Sequence, residues 1–214
     1  MNGTTLLHPG PTVFVIDDDA GTRHAITWLL EASGQRVETF PSGEAFLRAY
    51  QPDRSGCLIL DLRLPGMSGL ALQGEMARRG IRLPVIMLSG YPAVAQAVEA
   101  LQRGALDFLE KPVDEGVLLK HVERALAIDG ERRRRDRLRH ACSQRIERLT
   151  PREREVMALV VAGKPNKVVA SELGISQKTV ECHRARVMSK LEVSSIAELV
   201  RLECMAMHGI PGSA

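Results

Sequence analysis

Four short polar patches each follow an apolar run in this chain. They are Asp17-Asp18-Asp19 after TVFVI, Asp61 after CLIL, Ser89-Gly90 after VIML and Lys111-Pro112 after DFLE. In an open α/β sheet, ligands bind beyond the carboxyl ends of parallel strands, so patches at four strand ends can converge on one site. Asp17, Asp18 and Asp61 brought together would repel one another unless a cation joined them. Mg²⁺ fits, because it favours carboxylate oxygens, retained waters and a phosphate. With the metal neutralising a transferring phosphoryl group, Asp61 can attack to give an aspartyl-phosphate. Lys111 can pair with the phosphoryl oxygens as a compact cation, and Ser89 can donate its hydroxyl to them.

The elements that must position these residues alternate strictly between strand and helix over the first 124 residues. Strand TVFVI is followed by a helix over Gly21–Ser33 closed by Gly34, and strand Arg36–Phe40 by a helix opened by Ser42. Strand Cys57–Leu60 precedes the turn-rich LPGMSG and a helix over Leu70–Arg79. Strand Val85–Leu88 precedes a helix begun by Pro92 and ended at Gly104, and strand Asp107–Leu109 precedes a last helix from Asp114. Repeated βα units predict a parallel sheet covered on both faces. Five of them predict a flavodoxin-like (βα)5 domain with strand order 2-1-3-4-5.

The pattern changes at residues 128–148. Arginine density there is too high for a core, while Leu138, Cys142, Ile146 and Leu149 keep a helical spacing, so an Arg-rich helical linker is expected. From residue 149 to 214 all signals are helical. Thr150 with Glu153 forms a capping box and Pro151 occupies the first helical position. A turn at Gly163-Lys164-Pro165 follows, with Asn166, Ser176 and Ser195 as expected caps of three further helices. A short helix, a tight turn at Gly174 and a longer basic helix is the grammar of a helix-turn-helix within a small all-α four-helix domain.

Charge divides the same way. Residues 1–124 hold twelve Lys+Arg against fifteen Asp+Glu, and residues 125–214 hold seventeen against eleven. An acidic front suits cation chemistry and a basic rear suits a polyanion. The N-terminal MNGTTLLHPG lacks the features of a signal peptide and no run has the length of a membrane span, so a cytoplasmic protein without membrane contact is expected. Cys57, Cys142, Cys182 and Cys204 lack paired spacing and read as buried or half-buried thiols. Cys182, His183, Cys204 and His208 do not have the spacing of a zinc finger.

The motifs DDD at 17–19, DLRLPGMSG at 61–69, LSG at 88–90 and DFLEKP at 107–112 closely resemble receiver domains of two-component response regulators. Residues 150–191 resemble the LuxR-type helix-turn-helix, and the combination is most similar to the FixJ-like branch of the NarL/FixJ family. This resemblance implies that Asp61 is the phosphoacceptor for a sensor histidine kinase, with Asp18 binding Mg²⁺ directly, Asp17 through water and the Arg63 carbonyl completing the metal site. It implies that Ser89, Phe108 and Lys111 form the switch, with a cis Pro112. Phosphorylation would then reshape the face of Pro92–Arg103 and Asp107–Leu109, which carries Val94, Ala97, Val98 and Leu101, and pair receivers into a homodimer. Promoter DNA and RNA polymerase are the implied further partners. No enzymatic turnover beyond slow self-dephosphorylation is expected.

Helical geometry sorts the basic third helix of the rear domain. Val180, Val187 and Leu191 share an inward stripe, while Lys178, Cys182, Ala185 and Ser189 lie opposite, flanked by Glu181 and Arg186, and would face the major groove. Thr179, His183, Arg184 and Lys190, with Lys164 and Lys167, are placed for phosphates, although Arg184 leans toward the inward stripe and could form a structural salt link. Two basic residues aimed at bases predict weak monomer binding and dependence on a dimer at two half-sites. Two other functions compete. A haloacid-dehalogenase-like Mg²⁺-dependent phosphatase would use FVIDDDAGT, but Ala20 interrupts the required Asp-x-Asp-Gly-Thr. A receiver adaptor with a protein- or RNA-binding helical tail would not need the Gly174 turn or the basic helix.

Overall fold

The computed structural model describes residues 10–90 and 94–208. The chain divides into two compact units, Met1–Glu131 and Arg132–Ala214. In the first, strands β1 (Thr12–Ile16), β2 (Arg36–Phe40), β3 (Gly56–Asp61), β4 (Val85–Ser89) and β5 (Asp107–Glu110) form one parallel sheet in the order β2-β1-β3-β4-β5. The expected order and class hold. β1, β3 and β4 are buried at every position and β2 and β5 only partly, because central parallel strands are covered on both faces and edge strands are not. Alternation along β1 and β3 sends Phe14, Ile16, Leu58 and Leu60 into one core and Val13, Val15, Cys57 and Ile59 into the other.

Helices α1 (Ala20–Ala32), α2 (Gly43–Ala49), α3 (Gly69–Arg78) and α4 (Val94–Gln102) follow the first four strands. Pro92, the expected start of α4, lies outside the described residues. The fifth strand leads into α5 (Glu115–Glu147), whose first part belongs to the first unit and whose last part to the second. Asp129 on α5 is buried, and its carboxylate accepts the Gly56 N–H at 3.0 Å. Gly56 itself has φ near +150°, and a Cβ there would lie 1.8 Å from the Thr12 carbonyl oxygen, so no other residue fits this approach.

The second unit holds α6 (Pro151–Val161), α7 (Asn166–Leu173), α8 (Gln177–Lys190) and α9 (Ile196–His208) around a core of Val156, Val160, Val169, Val180, Val187, Leu191 and Leu199. Cys142, Ile146 and Leu149 join that core, whereas Leu138 is exposed. The Thr150–Glu153 capping box forms, and Gly174 adopts the left-handed conformation that ends α7. One expected cap does not form. Pro165 precedes α7 without a side-chain cap, and Asn166 is the first helical residue, its amide oxygen accepting instead from Arg184 Nη1 at 2.5 Å. Arg184 thus turns inward to an amide rather than to the acid that a salt link would need. Of the four cysteines, Cys57 and Cys142 are buried and Cys182 is exposed, departing from the expected burial.

Candidate functional site

The four strand-end patches meet. β1 ends one residue before Asp17, β3 ends on Asp61, β4 on Ser89, and Lys111 follows β5 directly. Lys111 Nζ donates to Asp17 Oδ2 at 2.6 Å and to Asp61 Oδ2 at 2.8 Å. The second oxygen of each carboxylate takes a backbone N–H, Asp17 from Asp19 at 2.9 Å and Asp61 from Arg63 at 3.1 Å. Lys111 N donates to the Ser89 carbonyl at 2.8 Å, which ties the ends of β4 and β5 together. Ser89 is wholly buried, Phe108 half-buried against the core on the α3 side of the sheet, and the Lys111-Pro112 peptide is cis.

Burial pushes the Asp17 carboxyl above its usual range, against the opposing pull of Lys111 and the Asp19 N–H. Burial likewise pulls Lys111 down, but its bonds to Asp17 and Asp61 outweigh this and leave it above its usual value. Asp17 therefore sits in a place that favours a neighbouring cation. Asp17, Asp18 and Asp61 each offer an oxygen within 4.8 Å of the others, the one such cluster among the described residues. Three hard carboxylate oxygens at this spacing, one of them on an exposed side chain, fit a Mg²⁺ that keeps several waters. The zinc-like residues form no such group among the described residues, and the side chain of His208 lies outside them.

Several supporting residues escaped the sequence reading. Asp19 caps α1 by accepting the Thr22 N–H at 2.6 Å, and that bond holds its carboxyl below the usual range. Arg23 Nη1 donates to the Asp17 carbonyl at 2.7 Å, one α1 turn away, with no signal in the sequence to mark it. Gly69 in LPGMSG had such a signal. A Cβ there would lie 2.5 Å from the Asp61 carbonyl oxygen, so the start of α3 packs on the strand that carries Asp61. Beside the acids, a groove of about 740 Å³ runs between α1 and the start of α5, bounded by Lys111, Pro112, Leu118 and a two-thirds exposed Trp28.

On α4, Val94 is 79% exposed, Val98 46% and Leu101 47%, while Ala100 is the buried residue. This apolar stripe is surface, not core.

In the second unit, Lys178, Glu181, Cys182, Ala185, Arg186 and Ser189 are exposed on α8, opposite the buried Val180 and Val187. Thr179 and His183 are half-buried, Thr179 sharing a hydroxyl hydrogen bond with Ser176 and His183 enclosing an unpartnered Nδ1. Several of the cations are already engaged. Lys190 pairs with the buried Glu153 at 2.7 Å, Lys164 with Glu172 at 2.7 Å and Lys178 with Glu181 at 3.2 Å. Lys167 is exposed at the start of α7.

Comparison with known proteins places this arrangement. Residues 13–123 match the family described as response regulator receiver domain, and residues 147–203 match that described as bacterial regulatory proteins, luxR family. The chain is 43% identical to the transcriptional regulatory protein FixJ of Azorhizobium caulinodans over 91% of its own length and 92% of that protein. It is 41% identical to nodulation protein W of Bradyrhizobium diazoefficiens, covering 89% of this chain and 84% of that one. The solved structure of the response regulator StyR is similar with a TM-score of 0.83 and 40% identity, over 91% of this chain and 98% of that chain.

Proposed function

Because the chain belongs to the two-component response regulators that join a receiver to a LuxR-type DNA-binding domain, and is thus a phosphorylation-dependent transcriptional regulator, we propose that Asp61 is its phosphoacceptor. The observation that carries this reading is the bridge from Lys111 to both Asp17 and Asp61 at the carboxyl end of the sheet. An Asp61 carboxylate oxygen attacks the phosphorus of a histidine kinase's phosphohistidine. The P–N bond breaks, its electron pair stays with the imidazole, and that nitrogen takes up a proton. Asp17, Asp18, Asp61 and the Arg63 carbonyl would hold Mg²⁺, which when bound supplies charge neutralisation to the phosphoryl oxygens. Lys111 exchanges its carboxylate contact on Asp61 for a phosphoryl oxygen, and Ser89 donates its hydroxyl to another. Phe108 follows Ser89 inward.

That change reaches α4, whose exposed Val94, Val98 and Leu101 would be covered by a second phosphorylated copy. Residues 1–127 act as the receiver, 128–148 as the connector and 149–214 as the DNA-binding module. In the dimer, α8 presents Lys178, Glu181, Cys182, Ala185 and Arg186 to the major groove. Thr179, His183, Lys164, Lys167 and Lys190 lie toward the backbone, and RNA polymerase is the downstream partner. No described helix is long and apolar enough to cross a membrane, and the proposed place of action is the cytoplasm, where a DNA-binding regulator meets its promoter. A phosphatase role for FVIDDDAGT is disfavoured because Asp19 is spent as a helix cap. The test is incubation with acetyl phosphate and Mg²⁺, followed by intact-mass measurement. Wild type should gain one phosphoryl group and Asp61→Asn none; equal labelling of the two would remove Asp61 from this role.

A further inference from the structure

We propose that the C-terminal turns of α5 carry a second contact surface for the phosphate backbone of duplex DNA, formed by Arg137, Arg145 and Arg148. The proposal rests on the DNA-binding reading of the second unit and extends it to a segment outside the helix-turn-helix. It begins from where the positive charge lies. Residues 132–148 carry eight arginines against two acids, whereas residues 149–214 carry nine Lys+Arg against seven Asp+Glu. The basic character of the DNA-binding half thus resides mainly in the end of α5.

The charges there are sorted. At about 100° per residue, Arg137 and Arg145, with Arg148 just past the helix end, share a stripe on the order of 80° wide. Arg134 and Ala141 also fall within it, and the two acids of the segment, Asp136 and Glu147, fall outside it. A merely solvated face gains nothing from keeping acids out of one stripe, whereas a polyanion does. Arg137 and Arg148 are exposed, and Arg145 is half-buried, its Nε enclosed without an acceptor. The stripe is also held firmly. Cys142, Ile146 and Leu149 anchor this stretch in the core of the same unit, and Arg154 Nε donates to the Leu149 carbonyl at 3.1 Å.

In the helix-turn-helix, Lys167 and Arg186 are exposed, but the other cations are already engaged. Lys190, Lys164 and Lys178 are engaged by Glu153, Glu172 and Glu181, and Arg184 by Asn166. Each phosphate neutralised by a protein cation releases condensed counterions and adds about 0.9 to the salt slope of binding. Arginines outside the recognition helix supply such contacts without reading sequence.

The experiment uses the full chain activated with Mg²⁺ and beryllofluoride and a fluorescent mixed-sequence duplex long enough for two half-sites, with anisotropy titrations between about 50 and about 200 mM salt. Arg137→Gln/Arg148→Gln should bind with a slope shallower by about 1.8 per bound protomer, so each wild-type protomer loses roughly tenfold more affinity over that range than the variant's does. Arg137→Lys/Arg148→Lys should keep the wild-type slope, since point charges suffice for counterion release. Wild-type slopes in the Gln variant overturn the proposal and leave DNA binding by the helix-turn-helix intact, pointing the stripe to an acidic protein surface instead. Failure of wild type to bind any duplex would overturn the DNA-binding reading and the proposal together.

Discussion

Glu153 offers the sharpest quantitative test of how the recognition helix is held. Its carboxylate is 4% exposed, yet it accepts the Thr150 N–H at 2.8 Å and the Lys190 ammonium at 2.7 Å. The bond to Lys190, then that from the Thr150 N–H, hold its pKa down to about 2 from an ordinary 4.5. At about 1.36 kcal/mol per unit, a shift of that size corresponds to about 3 kcal/mol of folding stability. Lys190 is 39% exposed, so solvent screens its share, and about 2 kcal/mol is the expected contribution. The folded pKa is depressed, so this stability is complete above about pH 4.5 and is lost as pH falls toward about 2. The perturbation is Glu153→Gln, which keeps shape and burial but removes the charge. Urea unfolding of the second unit's helical signal, followed from pH 7 to pH 2, should show the variant about 2 kcal/mol less stable at pH 7 and level with wild type at the acid end. Other carboxylates titrate in the same window, so the difference between the two proteins is the quantity to read. A constant difference across that range would refute an ion pair as the source, and no difference at all would refute the bridge between α6 and α8.

Two further outcomes follow from the first unit. Gly69→Ala puts a methyl group 2.5 Å from the Asp61 carbonyl oxygen, so it should cost about 1–3 kcal/mol in urea unfolding and slow acetyl phosphate labelling together; unchanged values in both would show that α3 can shift freely. Val98→Glu on the exposed α4 stripe should leave Asp61 labelling intact while preventing any mass increase with Mg²⁺ and beryllofluoride in light scattering, and a variant that still dimerises would place the interface elsewhere.

Much of the fold was legible because its signals are local. Continuous apolar runs such as TVFVI mark strands covered on both faces, and the Thr150–Glu153 spacing marks a helix start that forms as read. Asn166 shows the limit of that logic. Its type and position favour a cap, but Arg184, eighteen residues away in sequence, competes for the same oxygen in the folded unit. The α4 stripe shows another limit. Val94, Val98 and Leu101 have a spacing that a core face and a contact face share, and only packing decides that they are exposed while Ala100 is buried.

The sequence by itself determined the βα alternation, the strand-end placement of Asp17, Asp61, Ser89 and Lys111, and the division between an acidic front and a basic rear. These depend on residue type and on spacings of a few residues. Tertiary structure alone decided that Lys111 spans Asp17 and Asp61, that Gly69 lies against the Asp61 backbone, that Asp129 seals Gly56, and that Lys190 is held by Glu153. All but the Gly69–Asp61 approach join residues far apart along the chain, and which of several available partners a charged side chain takes is fixed by burial and distance, neither of which a linear spacing encodes.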